Sequence, residues 1–206
     1  MARVRNIGVV GLVLTAALTA GCSGAGGTAG TGSGPGAAAH SGGAAPAPTE
    51  SNPPGDIPDN QAYVTYKASG GGFTVKVPEG WARTDKGGTT TFTDKLNRVQ
   101  ISAATTSSAP TAASVTSKIV PQLQHQVARF ADPKVMQAAR KAGPVVLLKY
   151  RGDSAADPVT GKVVRDAFER YAFYQHGREV DLTLSGPVNA DNVDPWRIVS
   201  DSFAWK

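Results

Sequence analysis

Apolar and polar residues alternate in several stretches of the chain's second half. Phe73-Thr-Val75-Lys-Val77, Arg98-Val99-Gln-Ile101-Ser-Ala103 and Glu179-Val180-Asp-Leu182-Thr-Leu184 each place apolar groups on one face and polar groups on the other. Period-two patterning of this kind predicts half-buried strands. Val145 to Tyr150, "VVLLKY", is almost continuously apolar and predicts a central strand covered on both sides. Tyr63 to Lys67 and Thr89 to Thr93 are shorter strand candidates; in Val163 to Gln175 the spacing of Val164, Phe168, Ala172 and Gln175 also fits a helix, but the run is rich in β-branched and aromatic residues and is read as a long strand. It pairs with Arg178 to Leu184 across a turn at His176-Gly177. Further turns fall at Pro78-Glu79-Gly80, Lys95-Leu96-Asn97, Ala142-Gly143-Pro144 and Asp157 to Gly161.

Two segments carry the helical period instead. Val115, Ile119, Leu123 and Val127 repeat every four residues, with Ser114 as the N-cap and Pro121 as a kink or a fresh start. Near the end, Asp194-Pro195 suits an N-cap followed by the first helical position, with Trp196 and Val199 on one face and Phe203 following. Strands, helix, strands, helix, joined by hairpin-length loops, predict an α+β domain: a central antiparallel β-sheet flanked by helices.

Ahead of residue 61 the pattern is different. Arg3 and Arg5 precede an apolar run, Ile7 to Ala20, that is too short to span a bilayer. A positive start, a short apolar core and small residues at the exit make a secretory signal peptide over residues 1–21. The exit reads Thr19-Ala20-Gly21-Cys22, and Cys22 is the only cysteine of 206 residues. This resembles the bacterial lipobox, with Leu18 one place earlier than the usual leucine. The resemblance implies a thioether-linked lipid on Cys22 and cleavage just before it, with the protein on the extracellular face of the cytoplasmic membrane. The alternative is a plain signal peptide with an incidental cysteine. Two or more acyl chains hold a protein on a membrane where one does not.

Residues 22–60 form a Gly/Ser/Pro linker. Between Ser23 and Asn60 stands one isoleucine and no other large apolar side chain, so the segment cannot offset its ordering entropy and is predicted to be disordered. As a coil its ends lie about 35 Å apart; stretched, it reaches about 125 Å. Its glycines, Gly24 to Gly30, loosely imitate a phosphate-binding loop but follow no strand and open no helix.

Residues 61–206 are the folded domain. It has 19 basic side chains against 13 acidic ones, a net +6, and no cysteine. The basic residues are scattered rather than clustered, which argues against nucleic acid and leaves weak attraction to anionic lipid or wall polymer. Its two histidines, His125 and His176, belong to no spaced metal set, and no G-x-S-x-G or S-x-x-K motif is present in the domain. Asp153, Asp157 and Asp166 lack the spacing of a calcium loop and read as turn caps. Arg151-Gly152-Asp153 spells an adhesion tripeptide at a strand end. Glu169 and Arg170 face opposite ways and are expected to pair with cross-strand neighbours such as Arg178, Glu179 or Asp181.

"GGFTVKVPEGW", Gly71 to Trp81, resembles the opening of PsbP-like domains, and "TTTFTDKLNRVQISAA" with "APTAAS" continues in the same way. The ending "LTLSGPVNADNVDPWRIVSDSFAW" is similar to that of the LpqN/LpqT lipoproteins of mycobacteria and their relatives. The resemblance spans most of Tyr63 to Trp205 and implies the fold. It supplies no catalytic, cofactor-binding or metal-binding residue, and the photosynthetic members' role at a manganese cluster does not transfer with the fold. Trp81, Trp196, Phe203 and Trp205 are expected to seal the sheet against the helices. The functional expectation is a non-enzymatic binding or accessory module for an envelope protein, a lipid or a cell-wall component. Its rivals are an envelope hydrolase with an unrecognised site and a carrier of an apolar ligand.

Overall fold

The computed structural model describes residues 53–157 and 159–206. The leader, Cys22 and the linker up to residue 52 lie outside the described residues.

The alternating stretches form the expected strands. Five of them, with a strand at each edge that the alternation does not predict, make one sheet in the order β3 (Ala82–Lys86), β4 (Thr89–Asp94), β5 (Asn97–Thr105), β9 (Arg178–Pro187), β8 (Arg165–Gln175), β7 (Gly143–Asp153), β6 (Ala131–Arg140). A second sheet has three strands, in the order β1 (Tyr63–Lys67), β2 (Phe73–Pro78), β10 (Ala204–Trp205). Every pairing is antiparallel. The architecture is α+β, as the alternation predicts, with a small second sheet that it does not.

The second sheet explains the main core. Val75, Val77 and Phe73 of β2 meet Val99, Ile101, Val180, Leu182, Leu184, Tyr171 and Phe173 of the large sheet. α3 (Val193–Asp201) closes the same side through Val199. Phe203 sits at the centre, stacked on Phe173 at 4.0 Å and on Phe73 at 5.3 Å between ring centroids. Trp81, Trp196 and Trp205 pack half-buried at its margin. The aromatic seal therefore lies between the two sheets as much as between sheet and helix.

β7 is apolar on both faces because both are covered. Val145 and Leu147 join the main core, while Val146, Leu148 and Tyr150 meet a second cluster built on Val115, Ile119, Val120 and Leu123. These four belong to the first helical segment, which is less regular than its four-residue repeat suggests. α1 (Ala112–Ser114) passes into a π-helical turn (Val115–Ile119) and then into α2 (Val120–Gln126). Pro121 stands in the first turn of α2, where its missing N–H and its ring are tolerated only if the preceding turn widens. The N-cap is Thr111, not Ser114: Thr111 Oγ1 accepts from the Ser114 N–H and Ser114 Oγ from the Thr111 N–H.

The second helix also starts earlier than the Asp194-Pro195 signal suggests. Asn192 stands at its N-cap and Asp194 lies in the first turn, paired with Arg197. The Asn192 side chain is used elsewhere. It donates to the Gly55 carbonyl and to Asn97 Oδ1, and it accepts from the Ile57 N–H at 2.8 Å. Asn97 donates to the same Gly55 carbonyl, and Ile57 is 6% exposed. Residues 53–60, assigned to the linker on composition, are thus part of the fold, because the lone isoleucine has a socket and the backbone around it has partners. Asn192→Ala leaves the Ile57 N–H and Asn97 Oδ1 unpaired and is expected to cost about 2–3 kcal/mol. Limited proteolysis should then cut the 53–62 stretch first, ahead of global unfolding.

Candidate functional site

The polar members of the alternating strands build the site. Arg98, Gln100 and Ser102 of β5 point to one face, opposite Ser185, Thr183 and Asp181 of β9. Ser185 and Thr183 are in turn opposite Phe168 and Arg170 of β8. The helical segment covers only the apolar half of this face, over β6, β7 and part of β8. Where the cover stops, a groove of about 500 Å³ runs between the polar strands and a wall formed by Ile119, Gln122, Leu123 and Gln126. A neighbouring hollow of about 450 Å³ continues it toward Asp166, Lys95 and Lys162, and the two share Arg98, Ser154, Ala155 and Ser185.

Charge in the groove is unevenly matched. Arg170 pairs with Asp181 at 2.5 Å, the cross-strand partnership expected from the sequence. The Asp181 carboxyl holds its proton more tightly than usual, because burial outweighs the pull of Arg170, and its Oδ1 is buried with no hydrogen-bond partner. Glu179, two residues earlier, is raised for the same reason and by the Asp181 charge. Asp166 is 3% exposed and burial pushes its carboxyl up to about 6; its Oδ1 has no partner either. Arg98 lowers that carboxyl from a distance, and Asp153 raises it. Glu169, on the other face, takes Lys149 of β7 at 2.5 Å and the Tyr171 hydroxyl, rather than a partner on β9.

The remaining candidates from the sequence are scattered. His125 and His176 are exposed. His176 and Gly177 take φ of 49° and 78° in the tight β8–β9 turn, a geometry suited to joining twisted antiparallel strands. Asp157 caps its own turn, accepting from the Val159 and Thr160 N–H groups and from the Thr160 hydroxyl, which lowers its carboxyl. Asp153 is held in a two-pronged bond by Arg129, with Arg165 nearby. The adhesion-like tripeptide therefore lies within β7: Arg151 pairs with Asp132 at 3.6 Å, and a Cβ on Gly152 would come within 2.2 Å of Val127. Among the described residues, no three His, Cys, Asp or Glu side chains converge as a metal site, and no helix is long and apolar enough to cross a membrane. Arg98, Gln100, Thr183 and Ser185 were not singled out by the sequence. Their signal is the polar half of two strands whose apolar half is obvious.

A two-sheet α+β domain with this strand order is a PsbP-like fold. The structure superposes on the cyanobacterial PsbP of Synechocystis with a TM-score of 0.50 and 16% identity over 71% of this chain and 94% of that one. It is also similar to LpqN of Mycobacterium tuberculosis, described as involved in cell envelope biogenesis, with a TM-score of 0.40 and 12% identity over 72% and 92% of the two chains. A Bacteroides thetaiotaomicron protein matches with a TM-score of 0.46 and 12% identity over 69% of this chain, which spans 48% of that protein's length. The sequence matches no protein-family model and no curated protein.

Proposed function

We propose that the chain is an exported lipoprotein of the LpqN/LpqT type, held on the outer face of the cytoplasmic membrane by lipid on Cys22. Its PsbP-like domain is then a non-enzymatic binding or accessory module for an envelope protein, a lipid or a cell-wall component. The observation that carries the binding role is the half-covered sheet face, whose groove joins an apolar ledge at Leu123 and Phe168 to charged groups at Arg98, Arg170 and Asp181. Pockets that combine apolar walls with a few convergent polar groups are where proteins take ligands. The apolar-carrier reading fits less well, because the sheet-helix interface is filled by Val115, Val120, Leu148 and Tyr150. The leader, the cysteine and the small-residue linker support the location.

The test places a photoreactive residue at Thr183, in the groove, or at exposed Thr65 on β1, and irradiates intact cells. Thr183 should yield a discrete adduct that Thr65 does not. In the Cys22→Ala background the protein should leave the membrane fraction, and the adduct should fall at least about tenfold as effective concentration is lost. Equal labelling from both positions would remove the groove from the account. Unchanged membrane association of Cys22→Ala would remove the anchor.

A further inference from the structure

Two groups facing the second hollow lack the partners their chemistry requires. Asp166 is almost wholly buried, yet its Oδ1 accepts no hydrogen bond. Arg98 is half-buried and, among the described residues, makes no ion pair. Both line the same space of about 450 Å³. They do not meet because the sheet keeps them apart. Arg98 stands on β5 opposite Ser185 of β9, and Asp166 stands on β8 opposite Pro187 of β9. One strand and one step of the pleat separate them.

We infer that this hollow binds a zwitterionic ligand of the amino-acid or short-peptide class, its ammonium held by Asp166 and its carboxylate by Arg98. The inference rests on the reading of the groove as a ligand site and names the chemistry of one end of it. A simple anion would satisfy Arg98 and leave the Asp166 carboxylate buried and unmatched, with repulsion added. A simple cation would do the reverse. A neutral molecule carrying both charges matches both groups and leaves the net charge of the site unchanged. Burial without pairing is costly for a carboxylate, and a charge-assisted bond from an ammonium offsets that cost. Ser185, on the strand between β5 and β8, lines the same hollow and offers a hydroxyl to a peptide's amide groups. The rim carries Lys95 and Lys162 against Asp94 and Asp157, so it favours neither sign.

The experiment is titration calorimetry of the full chain with triglycine, N-acetyl-triglycine and triglycine amide. Triglycine should bind, and capping either end should weaken it by about tenfold or more, the worth of one hydrogen bond to a charged group. Asp166→Asn should abolish the penalty for acetylation while keeping the penalty for amidation; Arg98→Gln should do the opposite. Equal affinity for all three peptides, or no binding of triglycine up to about 10 mM, a free energy below about 3 kcal/mol, overturns the proposal. A neutral probe, maltotriose, binding where triglycine does not would overturn it too, while leaving the groove a ligand site. Triglycine binding without an adduct from Thr183 in cells would keep the zwitterion site and sink the wider groove reading.

Discussion

Asp166→Asn raises the stability of the protein at pH 7.5 and loses that advantage in acid. In the folded chain burial lifts this carboxyl from its ordinary 3.8 to about 6. Protonation is therefore favoured by the folded state. Below about pH 4 the group is neutral in folded and unfolded chains alike and carries no penalty. As pH rises through about 6 the folded chain must hold a buried carboxylate, and stability is lost. A proton affinity raised this far is worth at most about 3 kcal/mol at neutral pH. The amide still needs partners of its own, so a gain of about 1–2 kcal/mol is expected, several degrees in melting temperature for a domain of this size. Thermal melts of wild type and variant at pH 4 and 7.5 give the comparison. Equal differences at both values would mean that Asp166 is already compensated.

Phe203→Ala is expected to be the most damaging single substitution. The ring is 2% exposed, stacked between Phe73 and Phe173 and met edge-on by Trp205 at 5.0 Å. It joins β2 of the small sheet to β8 of the large one from a position three residues before Lys206. Removing it opens a cavity between two sheets that cannot close without moving both. Substitutions of this kind cost about 3–5 kcal/mol. Phe130→Ala removes a half-buried ring stacked on Tyr150 at 5.0 Å in the second cluster and should cost clearly less. Urea unfolding of the pair measures the contrast. Equal losses would deny that the sheets are held together through Phe203.

The strands were legible because their two faces differ so sharply in polarity. Val180, Leu182 and Leu184 alternate with Asp181, Thr183 and Ser185, and that pattern leaves β9 little choice. β6 was not legible: Lys134 to Arg140 has no strict alternation, since an edge strand with one partner is exposed along most of its length. β3, "ARTDK", is exposed throughout for the same reason. The helix caps were misplaced by one strong local signal each. Ser114 serves the capping box from its far end, and Asn192 rather than Asp194 stands at the start of α3, its amide drawn into a contact 135 residues away in sequence. The fold places the groove at the boundary between the covered and bare halves of one sheet face. No window of sequence contains that boundary, because it depends on where a helix over β7 runs out. Asp166 reads as a turn cap until register sets it opposite Gly152 and Pro187.

The clasp formed by Asn97, Asn192 and the Gly55 carbonyl has a mechanical consequence. β1 is an edge strand bonded on one side only, the arrangement most easily peeled from a sheet. Tension arriving along the chain from its N-terminal side would reach β1 first if the fold began there. It meets the asparagine pair instead, at Gly55, well upstream of Tyr63, and is passed to β5 and the start of α3. β1 is thereby spared the pull, and its pairing with β2 is kept while the chain is under strain.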